Sequence, residues 1–141
     1  MAEAVSLGAS ILAFITVAAK LSHAATTLYG SIKDAPSDVQ NVRTRLKDLE
    51  LILDQIDRAR LMNPECVGGP AAESYWSAKE AKLRSDFAEF GDFAVQLTAN
   101  IGKTKGRIKW VLSHEGRAKK VLGLLAEDIN VLRALFGIIQ S

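Results

Sequence analysis

Val39-Gln-Asn-Val42-Arg-Thr-Arg-Leu46-Lys-Asp-Leu49-Glu-Leu-Ile-Leu53-Asp-Gln-Ile56 decides the fold class. Its apolar residues Val39, Val42, Leu46, Leu49, Leu53 and Ile56 step by 3-4-3-4-3, the spacing that lines one stripe of an α-helix and suits the seam of a helical bundle. Arg43, Lys47, Glu50, Asp54 and Asp57 fall on the opposite, solvated face. Ser37 followed by Gln40 is a capping-box pattern, so the spacing predicts a helix over 37–59.

Moving outward, Asn63-Pro64 and Gly68-Gly69-Pro70 mark a loop over 60–73. Trp76, Leu83, Phe87, Phe90, Ala94, Leu97 and Ile101 then repeat the seam in a helix over 74–101, with Gly102 placed to end it. Lys105-Gly-Arg-Ile-Lys-Trp-Val-Leu112 reads as a short basic amphipathic helix over 105–112, and Ser113 as the N-cap of a last helix over 114–139. That last helix carries Ala118, Leu122, Leu125, Ile129, Leu132, Phe136 and Ile139. Toward the N-terminus no charge occurs from Ala4 to Ala19, and after Lys20 none until Lys33. This is one apolar helix over 1–33, ended by Asp34-Ala-Pro-Ser-Asp. No stretch alternates with period two. The expectation is an all-α chain, one domain over 1–141, folded as an antiparallel four-helix bundle with a short extra helix before the last long helix.

Length and composition agree: 141 residues supply one core, and 48% hydrophobic with 24% charged residues is an ordinary globular balance. The lone Cys66 has no partner for an internal disulfide. The formal charge of +2 is unevenly spread: residues 34–101 carry eight Lys/Arg against twelve Asp/Glu, and 102–141 carry eight against three. A basic lobe on an acidic middle points to an anionic partner.

Chemistry is hard to find. Gly102-Lys103-Thr104 looks like the tail of a phosphate-binding loop, but the glycine required five residues earlier is Leu97, and a helix stands where a strand should precede it. His23 and His114 lack metal-ligand spacing. Cys66 has no nearby base, and the carboxylates are expected on solvated faces. The expectation is a non-enzymatic protein without cofactor or metal.

What remains is the apolar front and the basic back. The bland account of the front is a helix buried by its neighbours. A signal peptide is opposed by Glu3 and the lack of Lys or Arg at the start. A permanent span is opposed by length, since sixteen uncharged residues reach only about 24 Å. Lys20 would cost on the order of 3 kcal/mol in mid-membrane. Conditional insertion fits this intermediate character, with Glu3, Val5, Leu7, Ile11, Leu12, Phe14, Ile15, Val17 and Leu21 as the inserting surface. Gly8, Ala9, Ala13 and Ala18 would allow close helix contact between copies. In the basic lobe, Lys103, Lys105, Arg107, Lys109, Arg117, Lys119 and Lys120 are the candidate contacts for anionic phospholipid, against the plain reading of a solvated face. Nucleic acid is not expected as a partner, because the middle is acidic and no reading motif occurs.

The opening Met-Ala-Glu-Ala-Val-Ser-Leu-Gly-Ala-Ser-Ile-Leu-Ala-Phe-Ile, the later Leu28-Tyr29-Gly30-Ser31-Ile32, the 39–53 seam and the Arg107–Leu112 run together resemble fungal HeLo-like domains. The resemblance covers nearly the whole chain, through degenerate hydrophobic patterns. It implies the N-terminal effector of a fungal NOD-like receptor or of an amyloid-controlled executioner, acting in immunity or allorecognition. It further implies a protein cytoplasmic at rest, oligomerising with itself under an upstream amyloid-forming or NOD-like receptor partner. At the plasma membrane it would insert residues 1–21, with Glu3 lining a pore or setting depth, and permeabilise the bilayer in regulated cell death. The second expectation is an oligomerisation or adaptor bundle that never inserts.

Overall fold

The computed structural model describes residues 7–31, 37–62, 69–100 and 107–140. They form four helices: α1 (Leu7–Ser31), α2 (Ser37–Met62), α3 (Pro70–Asn100) and α4 (Arg107–Gln140). No strand occurs among the described residues. α1 and α4 each pack on both α2 and α3, so the cross-section is a square with α1 diagonal to α4.

The boundaries differ from the sequence reading in two places. α2 runs on to Met62 and α3 begins at Pro70, so the loop expected over 60–73 is shorter. Proline fits the first helical turn because its missing N–H needs no partner there, and the Glu73 amide closes that turn on the Gly69 carbonyl at 2.9 Å. The short helix over 105–112 and the last helix over 114–139 are one continuous element, α4. Ser113 and Gly116 are merely weak helix formers, and a mid-helix serine or glycine lowers stability without forcing a break.

One hydrophobic core runs through the square. The α2 seam contributes Val42, Leu46, Leu49, Leu53 and Ile56, all buried. α3 contributes Trp76, Leu83, Phe87, Phe90, Ala94 and Leu97 as its spacing predicts, and Phe93 besides. In α4 the buried ladder is Ala118, Val121, Leu125, Ile129, Leu132 and Leu135, whereas Leu122, Phe136 and Ile139 are only half buried. The seam is therefore rotated slightly from the one expected.

Candidate functional site

α1 is not apolar all round in its surroundings. Ile11, Phe14, Ala18, Leu21, Ala24 and Ala25 are buried against α2 and α3, a 3/4-spaced stripe. Ser10 at its edge is buried with them. Ile15 and Val17 are partly buried against the core, and Leu12, Ala13, Thr16, Ala19 and Lys20 face outward. Phe14 is fixed by aromatic contacts with α3. It stacks on Phe87 at a ring separation of 4.1 Å and lies 6.1 Å from Trp76, while Phe87 meets Phe90 edge-on at 5.0 Å. Such pairs add about 0.5–1.5 kcal/mol each to what burial gives.

Of the nine residues expected to enter a membrane, Ile11, Phe14 and Leu21 are thus core residues of the folded bundle, and Leu12 is half exposed at 50%. Glu3 and Val5 lie outside the described residues, as does the side chain of Leu7. A 19-residue stretch, Ala9–Thr27, is long and apolar enough to cross a bilayer, with a mean hydropathy of 1.4 over its best window. A core helix of a soluble bundle meets the same criterion.

The seven cations of the basic lobe divide three ways. Lys103 and Lys105 lie outside the described residues, and Arg107 and Lys109 sit on the first turn of α4 with side chains likewise outside them. Lys119 is exposed. Arg117 and Lys120, two of the candidate lipid contacts, pair with Glu89 of α3, Arg117 partly buried and Lys120 largely exposed. Arg117 Nε donates to Glu89 Oε2 at 2.9 Å and Lys120 Nζ to Oε1 at 3.3 Å. The guanidinium of Arg117, helped by Lys120, holds the Glu89 carboxyl below the usual carboxylate range against the opposing effect of burial.

A second polar cluster joins the same two helices. Lys82 Nζ lies 2.7 Å from Asp86 Oδ2, 2.9 Å from Glu127 Oε1 and 3.4 Å from Asp128 Oδ1. Asp128 is wholly buried, Asp86 nearly so, and Asp128 Oδ2 has no hydrogen-bond partner. The carboxylates are therefore not all on solvated faces as the sequence suggested. Burial first, then a hydrogen bond with Asp86 and that group's negative charge, push the Asp128 carboxyl up to about 8, with Lys82 pulling the other way. Lys82 is held protonated chiefly by its bonds to Asp86 and Glu127.

Surface grooves flank the bundle among the described residues. One of about 660 Å³ lies between α1 and α3, bordered by Val17, Lys20 and His23 on one side and by Gly91, Asp92, Ala94, Val95 and Thr98 on the other. A smaller one lies between α2 and α4, where Asn41, Thr44 and Arg45 face Leu122, Gly123 and Ala126. Neither of these two grooves is lined by Asp86 or Asp128. Searches for a matching family model, for a similar curated protein and for a similar solved structure find no match for this chain.

Among the described residues no group of three or more His, Cys, Asp or Glu is placed to hold a metal ion. Cys66 and the Gly102-Lys103-Thr104 tripeptide lie outside those residues, His114 is on α4, and His23 is exposed on the rim of the larger groove. Leu97, where a phosphate loop would need glycine, is buried in the last turn of α3.

The ionic cluster was within reach of the sequence. Val121, Leu125, Asp128, Leu132 and Leu135 form a 4-3-4-3 ladder, and Leu83, Asp86, Phe90, Phe93 and Leu97 a 3-4-3-4 ladder. Each has an aspartate on a seam position.

Proposed function

We propose that this chain is a membrane-permeabilising effector domain, resting as an antiparallel four-helix bundle in the cytoplasm and inserting α1 into anionic plasma membrane after self-association. The observation that carries the reading is α1 itself: it has the length and hydropathy of a span, yet it is shielded along one stripe only. It occupies a corner of the square and not its centre. Its outer face already presents Leu12, Ala13, Thr16 and Ala19 to solvent. The resemblance to HeLo-like domains supplies the biological setting, regulated cell death under an amyloid-forming or NOD-like receptor partner.

The antiparallel course is supported by the order of the ion pairs. Lys82 meets Asp128 while Glu89 meets Arg117, so numbers rise along α3 as they fall along α4. Phe14 lies beside Phe87, and Lys20 and His23 share a groove with Asp92 and Thr98, which supports α1 and α3 climbing together. An up-down-up-down chain of this kind passes from α2 to α3 across a diagonal.

Energetics set the terms of insertion. Uncovering Ile11, Phe14 and Leu21 forfeits about 1.5–3 kcal/mol each, before the three buried alanines are counted. The total is comparable with the 5–15 kcal/mol that holds a typical domain together. Release of α1 is therefore equivalent to opening the bundle, and the bilayer together with contacts between copies must offset it. The same burial favours the second reading, a signalling or adaptor bundle that keeps α1 in place throughout.

Deleting residues 1–21 would remove core residues and so confuse insertion with folding. A substitution on the open face separates the two. In vesicles containing anionic phospholipid, the oligomerised chain should release trapped dye, and Leu12→Glu should abolish release while leaving the thermal midpoint unchanged. Undiminished leakage by Leu12→Glu would sink the insertion mechanism. No leakage by the oligomerised wild type would leave the adaptor reading in its place.

A further inference from the structure

Asp128 is an expensive residue to bury, and the surroundings only half compensate for it. One carboxylate oxygen is 3.4 Å from Lys82 Nζ, a long contact, and the other has no hydrogen-bond partner. The single lysine is shared among three carboxyl groups, and its side chain is half exposed, so water weakens its pull. Asp86 approaches from the facing helix with its own carboxyl almost wholly buried. Two carboxylates facing each other in a dry seam with one shared, solvated cation repel. The arrangement becomes favourable when one of them carries a proton and donates it to the other.

We propose that Asp86, Asp128 and Lys82 form a proton-operated latch between α3 and α4, closed by one proton shared between the two aspartates and loosened when that proton is lost to solvent. The charged groups around it are few. α3 supplies Lys82 and Asp86, and α4 itself adds Glu127, already paired with Lys82. α2, on the other flank of α4, brings Arg45 to the groove beside Leu122, Gly123 and Ala126. None of these gives the second oxygen of Asp128 a hydrogen bond. The latch does not depend on the membrane reading, since it concerns only how tightly two helices of the resting bundle hold together.

Its sign is opposite to that of an ordinary salt-bridged aspartate. The folded state binds a proton that the unfolded chain, with Asp128 at its usual 3.8, has already released. The latch therefore stabilises fully below that value, and its contribution is lost as pH rises toward about 8. Across the window the unfolding constant should rise by up to about tenfold per pH unit, the slope for one proton.

The test follows the urea midpoint of the full chain from about pH 5 to about pH 8, for wild type, Asp128→Asn and Asp86→Asn. Asparagine at 128 keeps the shape and a donor toward Asp86, and so imitates the protonated latch. Wild type should lose stability as pH rises. Asp128→Asn should be flat and should exceed wild type at the alkaline end. Asp86→Asn, which removes the repelling charge, should also flatten the curve, and it serves if the first variant fails to fold. The carboxyl carbon of Asp128, followed by NMR, should titrate above about pH 6. Parallel curves for wild type and the folded variants, or an Asp128 carbon that titrates in the ordinary aspartate range, would overturn the latch.

Discussion

α3 shows two different faces to its neighbours. Toward α1 it offers Trp76 and Phe87, both against Phe14, with Phe90 edge-on to Phe87 behind them. Toward α4 it offers Lys82 and Glu89, held to Asp128, Glu127, Arg117 and Lys120 by charge. Apolar contact of the first kind responds little to pH or salt. Charge contact of the second kind responds to both. α1, long and apolar enough to span a bilayer, is thus tied down by the seam that solution conditions barely touch, and a chemical stimulus reaches the bundle first at the other side of α3. Under the insertion proposal, a trigger that frees α1 would work by mass action among copies or by a bilayer, while protons and salt act on α4.

Four substitutions would break or sharpen that contrast. The largest effect should come from Phe14→Ala, which empties the aromatic contact and should lower stability by about 3–5 kcal/mol. Urea unfolding at several pH values should show the same loss at each. A loss that varied with pH would blur the distinction between the two seams.

Next comes Lys82→Met, which strips both aspartates of their cation. Because the lysine is half exposed, the loss should be about 1–2 kcal/mol near neutral pH, below the 3–5 of a fully buried pair. It should grow toward alkaline pH, where Asp128 gives up its proton and both aspartates need the cation. A loss that shrank toward alkaline pH would contradict the charge account of this seam.

Glu89→Gln should cost about 0.5–1 kcal/mol. The Glu89 carboxyl is held below its ordinary value, so its contribution is present above the unfolded value of about 4.5 and disappears as pH falls through the folded one. The α3–α4 seam therefore contains two carboxyls of opposite sense, Glu89 weakened by acid and Asp128 by alkali. The same variant frees Arg117 and Lys120, and co-sedimentation with anionic vesicles should rise if those cations serve lipid.

The smallest effect on stability belongs to Leu12→Glu on the open face of α1, within about 0.5 kcal/mol of wild type. Its interest lies in dye leakage, where the proposed loss of activity would have no folding explanation.

Legibility in the sequence followed the same division. The α2 seam could be read residue by residue, because Val42 through Ile56 alternate cleanly with charged residues and the period leaves one solution. In α1 the period is blurred by alanine, which is at home inside or outside, so the sequence does not single out Phe14 and Leu21 as core residues. In α4 Asp128 was passed over, because a charge beside Glu127 reads as solvent-facing. Its partner Lys82 lies 46 residues away, and no local pattern reports such a pairing. The pairing of Arg117 and Lys120 with Glu89 is hidden for the same reason: a run of cations shows its sign in the sequence but not the acid that a neighbouring helix sets against it.

The contact between Phe14 and Trp76 has a practical consequence for spectroscopy. Trp76 is 7% exposed, and the ring beside it belongs to the helix whose departure is in question. Its emission should be blue-shifted while α1 is seated and should move to the red when α1 leaves. The only other tryptophan, Trp110, can be replaced by phenylalanine to leave one emitter. Fluorescence of that single-tryptophan chain would separate, in real time and without a label, vesicle binding that keeps the bundle closed from binding that opens it.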